Sequence, residues 1–166
     1  MDPTDSPAPA AGTAASPIQA FVDALHARFA GLADGRVADY IPELAKADAS
    51  KFGIAIATVD GRVYEAGDTR APFTIQSISK PLVYGVALED CGAERVRACI
   101  GVEPSGDAFN SISLEAGTGR PLNPMINAGA ITTHTLAGKK GLDPAARVAR
   151  IVDGLSAFAG RRLEVD

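Results

Sequence analysis

FTIQSISKP, residues 73–81, sets two hydroxyls and a lysine where an extended segment gives way to a helix. Upstream, PFTIQ (72–76) reads as a short extended piece. Downstream, Leu82, Val83, Val86 and Ala87 recur at helical spacing from Ser77 to about Asp90. Gly92 is the expected stop, and Pro81 is tolerated only if the helix begins close to Ser77. Two readings of this junction compete. In one, Ser77 is a helix cap and Lys80 a solvated first-turn residue. In the other, Ser77 is a nucleophile and Lys80 its base.

The chemistry of the second reading is specific. A serine hydroxyl is a weak nucleophile until a base takes its proton. A lysine can be that base only as a neutral amine, a state that burial and nearby positive charge favour. Ser77 and Lys80 are three residues apart, and residues at i and i+3 share one face of a helix. At a helix start, unpaired backbone N–H groups and the helix dipole suit a developing oxyanion. One turn therefore supplies nucleophile, base and part of an oxyanion hole. Ser79, two residues from Ser77, faces elsewhere and is assigned no chemistry. With nine serines and five lysines in 166 residues, one Ser-x-x-Lys arises by chance about a quarter of the time. The motif alone therefore decides nothing, and its surroundings must.

Upstream, residues 17–33 place Ile18, Phe21, Val22, Leu25, Phe29 and Leu32 at helical spacing, with Ser16 as cap and Pro17 at the first helical position. YIPELAKA (40–47) is a short helical turn. Residues 52–68 change period: Phe52, Ile54, Ile56 and Thr58 alternate with small residues, and Asp60-Gly61 supplies a hairpin turn. Residues 93–101 form a further short helix, 103–111 and 117–129 are loops, and 128–138 and 143–160 are helices, the last with Asp143 as cap and Pro144 behind it. The strands gather early and helices follow. The fold class is α+β, an antiparallel sheet packed by helices. Residues 1–16, rich in Ala, Pro, Ser and Asp, read as a disordered lead-in, and 17–166 as domain.

Composition removes several functions. Apolar residues make up 46% and charged residues 22%, a globular balance, and the formal net charge of −4 is spread along the chain. Nucleic-acid binding would need clustered Lys and Arg, which are missing. No apolar run approaches a membrane span, and the N-terminus lacks the basic and apolar pattern of a signal peptide. Cys91 and Cys99 are expected as free thiols in a cytoplasmic protein. His26 and His134 are expected to be packing or surface residues, so neither a histidine metal cluster nor a Ser-His-Asp triad is expected. GKK (138–140) is no phosphate loop, because Thr133 stands where its first glycine belongs. The carboxylates of Glu103 and Asp107 read as solvated loop charges.

Read together, YIPELAK, GDTRAPFTIQSISKPL, GVEPSGDAFNS and NPMINAGAI run in order from about Tyr40 to Ile131. In that combination the chain resembles the serine-dependent glutaminases. The resemblance implies a serine β-lactamase- or transpeptidase-like fold. It implies hydrolysis of L-glutamine to L-glutamate and ammonia through an acyl-serine, with no metal or organic cofactor. By resemblance Ser77 is the nucleophile, with its backbone N–H in the oxyanion hole, and Lys80 is its proton acceptor. Tyr40, Gln76 and Asn127 match substrate-contacting positions, and neutral donor–acceptor side chains suit a small zwitterion. A homodimer or homotetramer is implied as well.

The chain departs from that pattern at its far end. Family members are longer, and further glutamate, asparagine and tyrosine site residues lie beyond the point matched by RRLEVD (161–166). The expectation is therefore an N-terminal part of the domain, with an incomplete sheet. Two other functions stay open at this stage. One is an inactive remnant that binds glutamine or a partner. The other is a penicillin-recognising acyl-serine enzyme, against which the missing Ser-Asp-Asn and Lys-Thr-Gly motifs count.

Overall fold

The computed structural model describes residues 16–108 and 110–165. Apart from Ser16, the expected lead-in lies outside the described residues. The chain divides into two compact units, the first running to Thr74 and the second starting at Ile75.

The first unit is a hairpin with a helix on it. Helix α1 (Pro17–Phe29) is followed by the single turn α2 (Pro42–Ala45) and by strands β1 (Gly53–Ala57) and β2 (Val63–Gly67). The strands are antiparallel, in a register that pairs Gly53 with Gly67 and Ala57 with Val63. Asp60 and Gly61 lie in the connection, as expected, and the Thr58 N–H closes it on the Arg62 carbonyl at 2.9 Å. Val22 of α1 is fully buried. Gln19 Nε2 donates to the Glu65 carbonyl at 3.0 Å. The His26 ring stacks on Phe52 with centroids 5.0 Å apart and bonds the Phe52 carbonyl through Nε2 at 3.3 Å. His26 is thus a packing residue. Two expectations need correction. The helix ends a turn early because Leu32 is exposed and nothing rewards continuing. Ser16 makes no side-chain cap bond; only its carbonyl serves the helix, accepting from Ala20 N–H.

The second unit is built around α3 (Ser79–Cys91), on which α4 (Ala93–Cys99), α5 (Asn127–Leu136) and α6 (Pro144–Ala159) pack. Helix α3 is apolar on more than one side because it serves three neighbours. Val83 and Val86 meet Ala137, Ile151 and Leu155. Ala87 meets Val96 and Ile100, with Tyr84, Leu88 and Leu136 around them. Each fully buried valine stabilises the unit by about 1.5–3 kcal/mol. Helix α3 stops at Gly92, whose φ of 75° lies in the region that glycine enters without steric penalty. Helix α6 starts as its sequence specifies: Asp143 accepts from Ala146 N–H at 3.0 Å, and Pro144 follows. The α+β class holds, with a small antiparallel sheet among the described residues.

PFTIQ forms no strand, and its last two residues are not extended. Ile75 already has helical dihedrals, and Gln76 opens a 3₁₀ turn (Gln76–Ile78) that leads directly into α3. The 3₁₀ turn begins immediately after Ile75, so the β propensity of Phe73 and Ile75 is overridden by local context.

Arg150 ties α6 to α3 through two ion pairs, an exposed one with Glu89 at 2.8 Å and a more buried one with Asp90. Arg150 grips Asp90 through Nε and Nη2, the shortest bond being 2.7 Å, and Asp90 Oδ2 also accepts from Gly138 N–H at 2.7 Å. Burial pushes the Asp90 carboxyl up, but the Arg150 guanidinium and the Gly138 N–H together hold it below its ordinary 3.8. A carboxylate whose folded value is depressed stabilises the fold above its unfolded value and loses that contribution as pH falls through the folded one. Asp90→Asn should therefore cost about 1–3 kcal/mol at pH 7. The gap from the parent should narrow below pH 3.8. Urea midpoints at pH 7 and pH 3 measure it; a gap unchanged at pH 3 contradicts the charge-based account.

Candidate active site

The junction that opened the sequence forms one wall of a cavity of about 650 Å³. Gln76, Ser77, Ser79 and Lys80 line it from the 3₁₀ turn and the start of α3. Asn127, Ala130, Ile131, His134 and Thr135 line it from α5, and Arg147 from α6. These α5 positions recur every three or four residues, so a single face of that helix forms the opposite wall. Lys80 and Arg147 bring basic side chains to the lining, and none of these lining residues is acidic.

Ser77 is exposed to this space, whereas Lys80 retains only 9% of its accessible surface. Burying a lysine amine without partners costs several kcal/mol. Here Nζ donates to the Met125 carbonyl at 2.8 Å and to Asn127 Oδ1 at 2.8 Å. The reading of Lys80 as a solvated first-turn residue is thereby removed. Ser77 as a conventional cap falls too, since neither the 3₁₀ turn nor α3 has a side-chain cap bond. Ser77 lies in the middle of the 3₁₀ turn, two residues before α3 begins, not at the α-helix start itself.

Gln76 has φ of 43°, the single non-glycine residue with positive φ among the described residues. Such a conformation costs about 1–3 kcal/mol and persists where the surroundings enforce it. Ser79 shows part of that enforcement: its Oγ donates to the Gln76 carbonyl at 2.8 Å. Ser79, assigned no chemistry from sequence, is the residue that fastens the turn.

The partners of Lys80 come from a tight turn before α5. Gly129 packs so closely on it that a Cβ there would stand 1.8 Å from the Asn123 carbonyl oxygen. Of the residues expected to contact substrate, Gln76 and Asn127 thus share the cavity with Ser77 and Lys80. Tyr40 belongs to the first unit, where its side chain is exposed. Glu103 and Asp107 are exposed loop residues, Asp107 accepting from Ser113 Oγ at 2.7 Å. Three contributors escaped the sequence reading: the Met125 carbonyl, Asn123 and Arg147. Only Asn123 carried a signal, since Asn before Pro favours a side-chain-closed turn. His134 was expected to pack or lie at the surface. It lines the cavity with Nδ1 on the Ala130 carbonyl at 2.7 Å, a bond in which that nitrogen must be the donor.

The sequence profile of the glutaminase family matches residues 35–166. The chain belongs to the glutaminase family. It is 52% identical over 150 residues to Glutaminase 2 of Bradyrhizobium diazoefficiens, an alignment covering 90% of this chain and 24% of that protein. The glutaminase of Microcystis aeruginosa is 46% identical over 151 residues, covering 90% of this chain and 44% of the relative. Among solved structures, Mglu in its glutamate form superposes with a TM-score of 0.83 at 46% identity, over 91% of this chain and 35% of that one. The probable glutaminase ybaS gives 0.83 at 39% identity, over 93% and 50%. This glutaminase-family chain therefore spans less than half the length of the curated relatives it matches, and its structural neighbours have the serine β-lactamase-like fold. Among the described residues no helix is long and apolar enough to cross a membrane, and no cluster of His, Cys, Asp and Glu is arranged to hold a metal ion.

Proposed function

We propose that this chain carries the nucleophile, the base and part of the substrate site of a glutaminase. The observation that carries the reading is the buried Lys80 amine, held by the Met125 carbonyl and Asn127 Oδ1 in the cavity that Ser77 lines. A neutral lysine amine has two N–H donors and one lone pair. The Met125 carbonyl and Asn127 Oδ1 each accept one hydrogen bond from the amine and fix its position beside the turn that carries Ser77.

In the proposed reaction Lys80 accepts the Ser77 proton while Oγ attacks the carboxamide carbon of L-glutamine. The Ser77 backbone N–H is one donor to the resulting oxyanion. The C–N bond then breaks, Lys80 returns the proton to the departing nitrogen, and ammonia leaves an acyl-serine ester. Water, deprotonated by the same amine, hydrolyses the ester to L-glutamate and regenerates Ser77. Gln76, Asn127 and Tyr40 are the proposed substrate contacts. The Arg147 guanidinium in the lining favours a substrate that bears a carboxylate. A homodimer or homotetramer and a cytoplasmic location belong to the same proposal; the free thiols of Cys91 and Cys99 fit a reducing compartment.

The purified 166-residue chain is expected to release ammonia and L-glutamate from L-glutamine in equal amounts, with no added metal or cofactor. Glutamate dehydrogenase coupling measures one product and an ammonia electrode the other. A soluble, folded sample that releases neither overturns the proposal that this chain is itself an enzyme.

A further inference from the structure

We propose that Asn123 positions the lysine of the Ser77–Lys80 pair, acting through a single peptide unit and not by touching substrate. The inference rests on the acyl-serine reading for its catalytic consequence, and on hydrogen-bond geometry for the rest.

Asn123 closes the turn before α5 with both ends of its amide. Oδ1 accepts from the Met125 N–H at 3.0 Å and from the Ile126 N–H at 3.2 Å. Nδ2 donates to the Glu103 carbonyl at 2.9 Å. The partners fix which end is which, because two N–H groups require an oxygen and a carbonyl requires a nitrogen. The Ile126 N–H and the Met125 C=O belong to one planar peptide unit, and in a trans peptide they point in opposite directions. That unit is therefore clamped from both sides: Asn123 Oδ1 holds its N–H, and its oxygen takes a hydrogen bond from Lys80 Nζ at 2.8 Å. The next side chain along, Asn127, supplies the second acceptor for the same amine. Rotating the peptide plane would withdraw one acceptor and move the residue that carries the other. Asn123 itself is not among the residues lining the cavity, so it is a positioning residue.

Substitutions separate this role from general support of the fold. Asn123→Asp keeps an oxygen for both N–H groups and loses only the bond to Glu103. Asn123→Ala loses all three bonds. The direct readout is trace acylation of the whole chain with acetic anhydride at neutral pH, following each of the five lysines by mass spectrometry. Acylation of a buried, hydrogen-bonded amine needs local opening, so it reports how firmly the amine is held. Relative to the exposed Lys139, labelling of Lys80 is expected to rise at least about fivefold in Asn123→Ala and to stay within about twofold of the parent in Asn123→Asp. Val96→Ala, a core change elsewhere in the same unit, controls for lost stability and is expected to leave the ratio unchanged. If Asn123→Ala does not fold, Asn123→Ser, whose shorter hydroxyl reaches fewer donors, is read in the same way.

The kinetic readout is a fall in kcat of about tenfold for Asn123→Ala, with KM within about twofold, because displacing a base slows chemistry more than binding. Unchanged Lys80 labelling in Asn123→Ala, or an equal rise in Val96→Ala, overturns the proposal. A parent chain that labels as expected yet releases no ammonia contradicts the glutaminase reading and leaves the positioning of Lys80 by Asn123 supported.

Discussion

Ser77→Ala is expected to lower kcat/KM for L-glutamine by at least about 10⁴-fold, because in the proposed reaction Ser77 Oγ carries the acyl group. Stability should barely change. Ser77 is exposed, so its loss leaves no cavity and should shift the unfolding free energy by no more than about 0.5 kcal/mol. The two measurements together separate a chemical role from a structural one. Ser79→Ala supplies the contrast. Its hydroxyl holds the Gln76 carbonyl at 2.8 Å, and losing one such bond costs about 0.5–1.5 kcal/mol. That variant should retain the nucleophile and lose stability. Hydroxylamine adds a direct test of the ester. In the parent it should intercept the acyl-serine and yield the γ-glutamyl hydroxamate; in Ser77→Ala no hydroxamate should form. A Ser77→Ala chain that kept a tenth of parental turnover would place the nucleophile elsewhere.

The serine–lysine pair shows how far sequence reasoning reaches. Spacing alone put Ser77 and Lys80 on one face, and four motifs in order pointed to the family. Spacing could not say whether the lysine was solvated, because burial of a polar group depends on acceptors far away in the chain. Those acceptors lie 45 and 47 residues on, at Met125 and Asn127. One of them is a main-chain carbonyl, which no residue type announces. Helices α3 and α6 were legible because their apolar positions, the Gly92 stop of α3 and the Asp143-Pro144 start of α6 agree with their packing. PFTIQ was misread for the converse reason: its β-favouring side chains run straight into a 3₁₀ turn, and local propensity yields to context. The 3₁₀ turn with Gln76 at positive φ has no sequence signature at all, since glycine or asparagine would have been the expected occupant.

Gly129→Ala is expected to be the most damaging single-methyl change in the second unit. Gly129 lies in the first turn of α5, and within a helix alanine ordinarily gains up to about 1 kcal/mol over glycine, so propensity alone predicts a more stable protein. Geometry predicts the reverse. The added carbon would stand 1.8 Å from the Asn123 oxygen, 2.8 Å from its carbonyl carbon and 3.0 Å from Pro124 Cα. All three are backbone atoms, and a proline ring stiffens the second residue, so no rotamer change can relieve the overlap. The turn must move as a body, and it carries the Met125 carbonyl and Asn127 Oδ1 away from Lys80 as it does so. A loss of about 3 kcal/mol or more is expected from such overpacking. Gly154 on α6 gives the intermediate case. There the added carbon would overlap Val86 Cγ2; this is one side-chain methyl and not backbone, so the cost should be smaller, about 1–3 kcal/mol. At Gly31, with nothing within 4 Å, alanine should be close to neutral. Urea midpoints for the three variants should fall in that order. If Gly129→Ala unfolded within about 1 kcal/mol of the parent, the turn would be far softer than a hydrogen-bonded clamp allows, and the rigid presentation of acceptors to Lys80 would lose its physical basis.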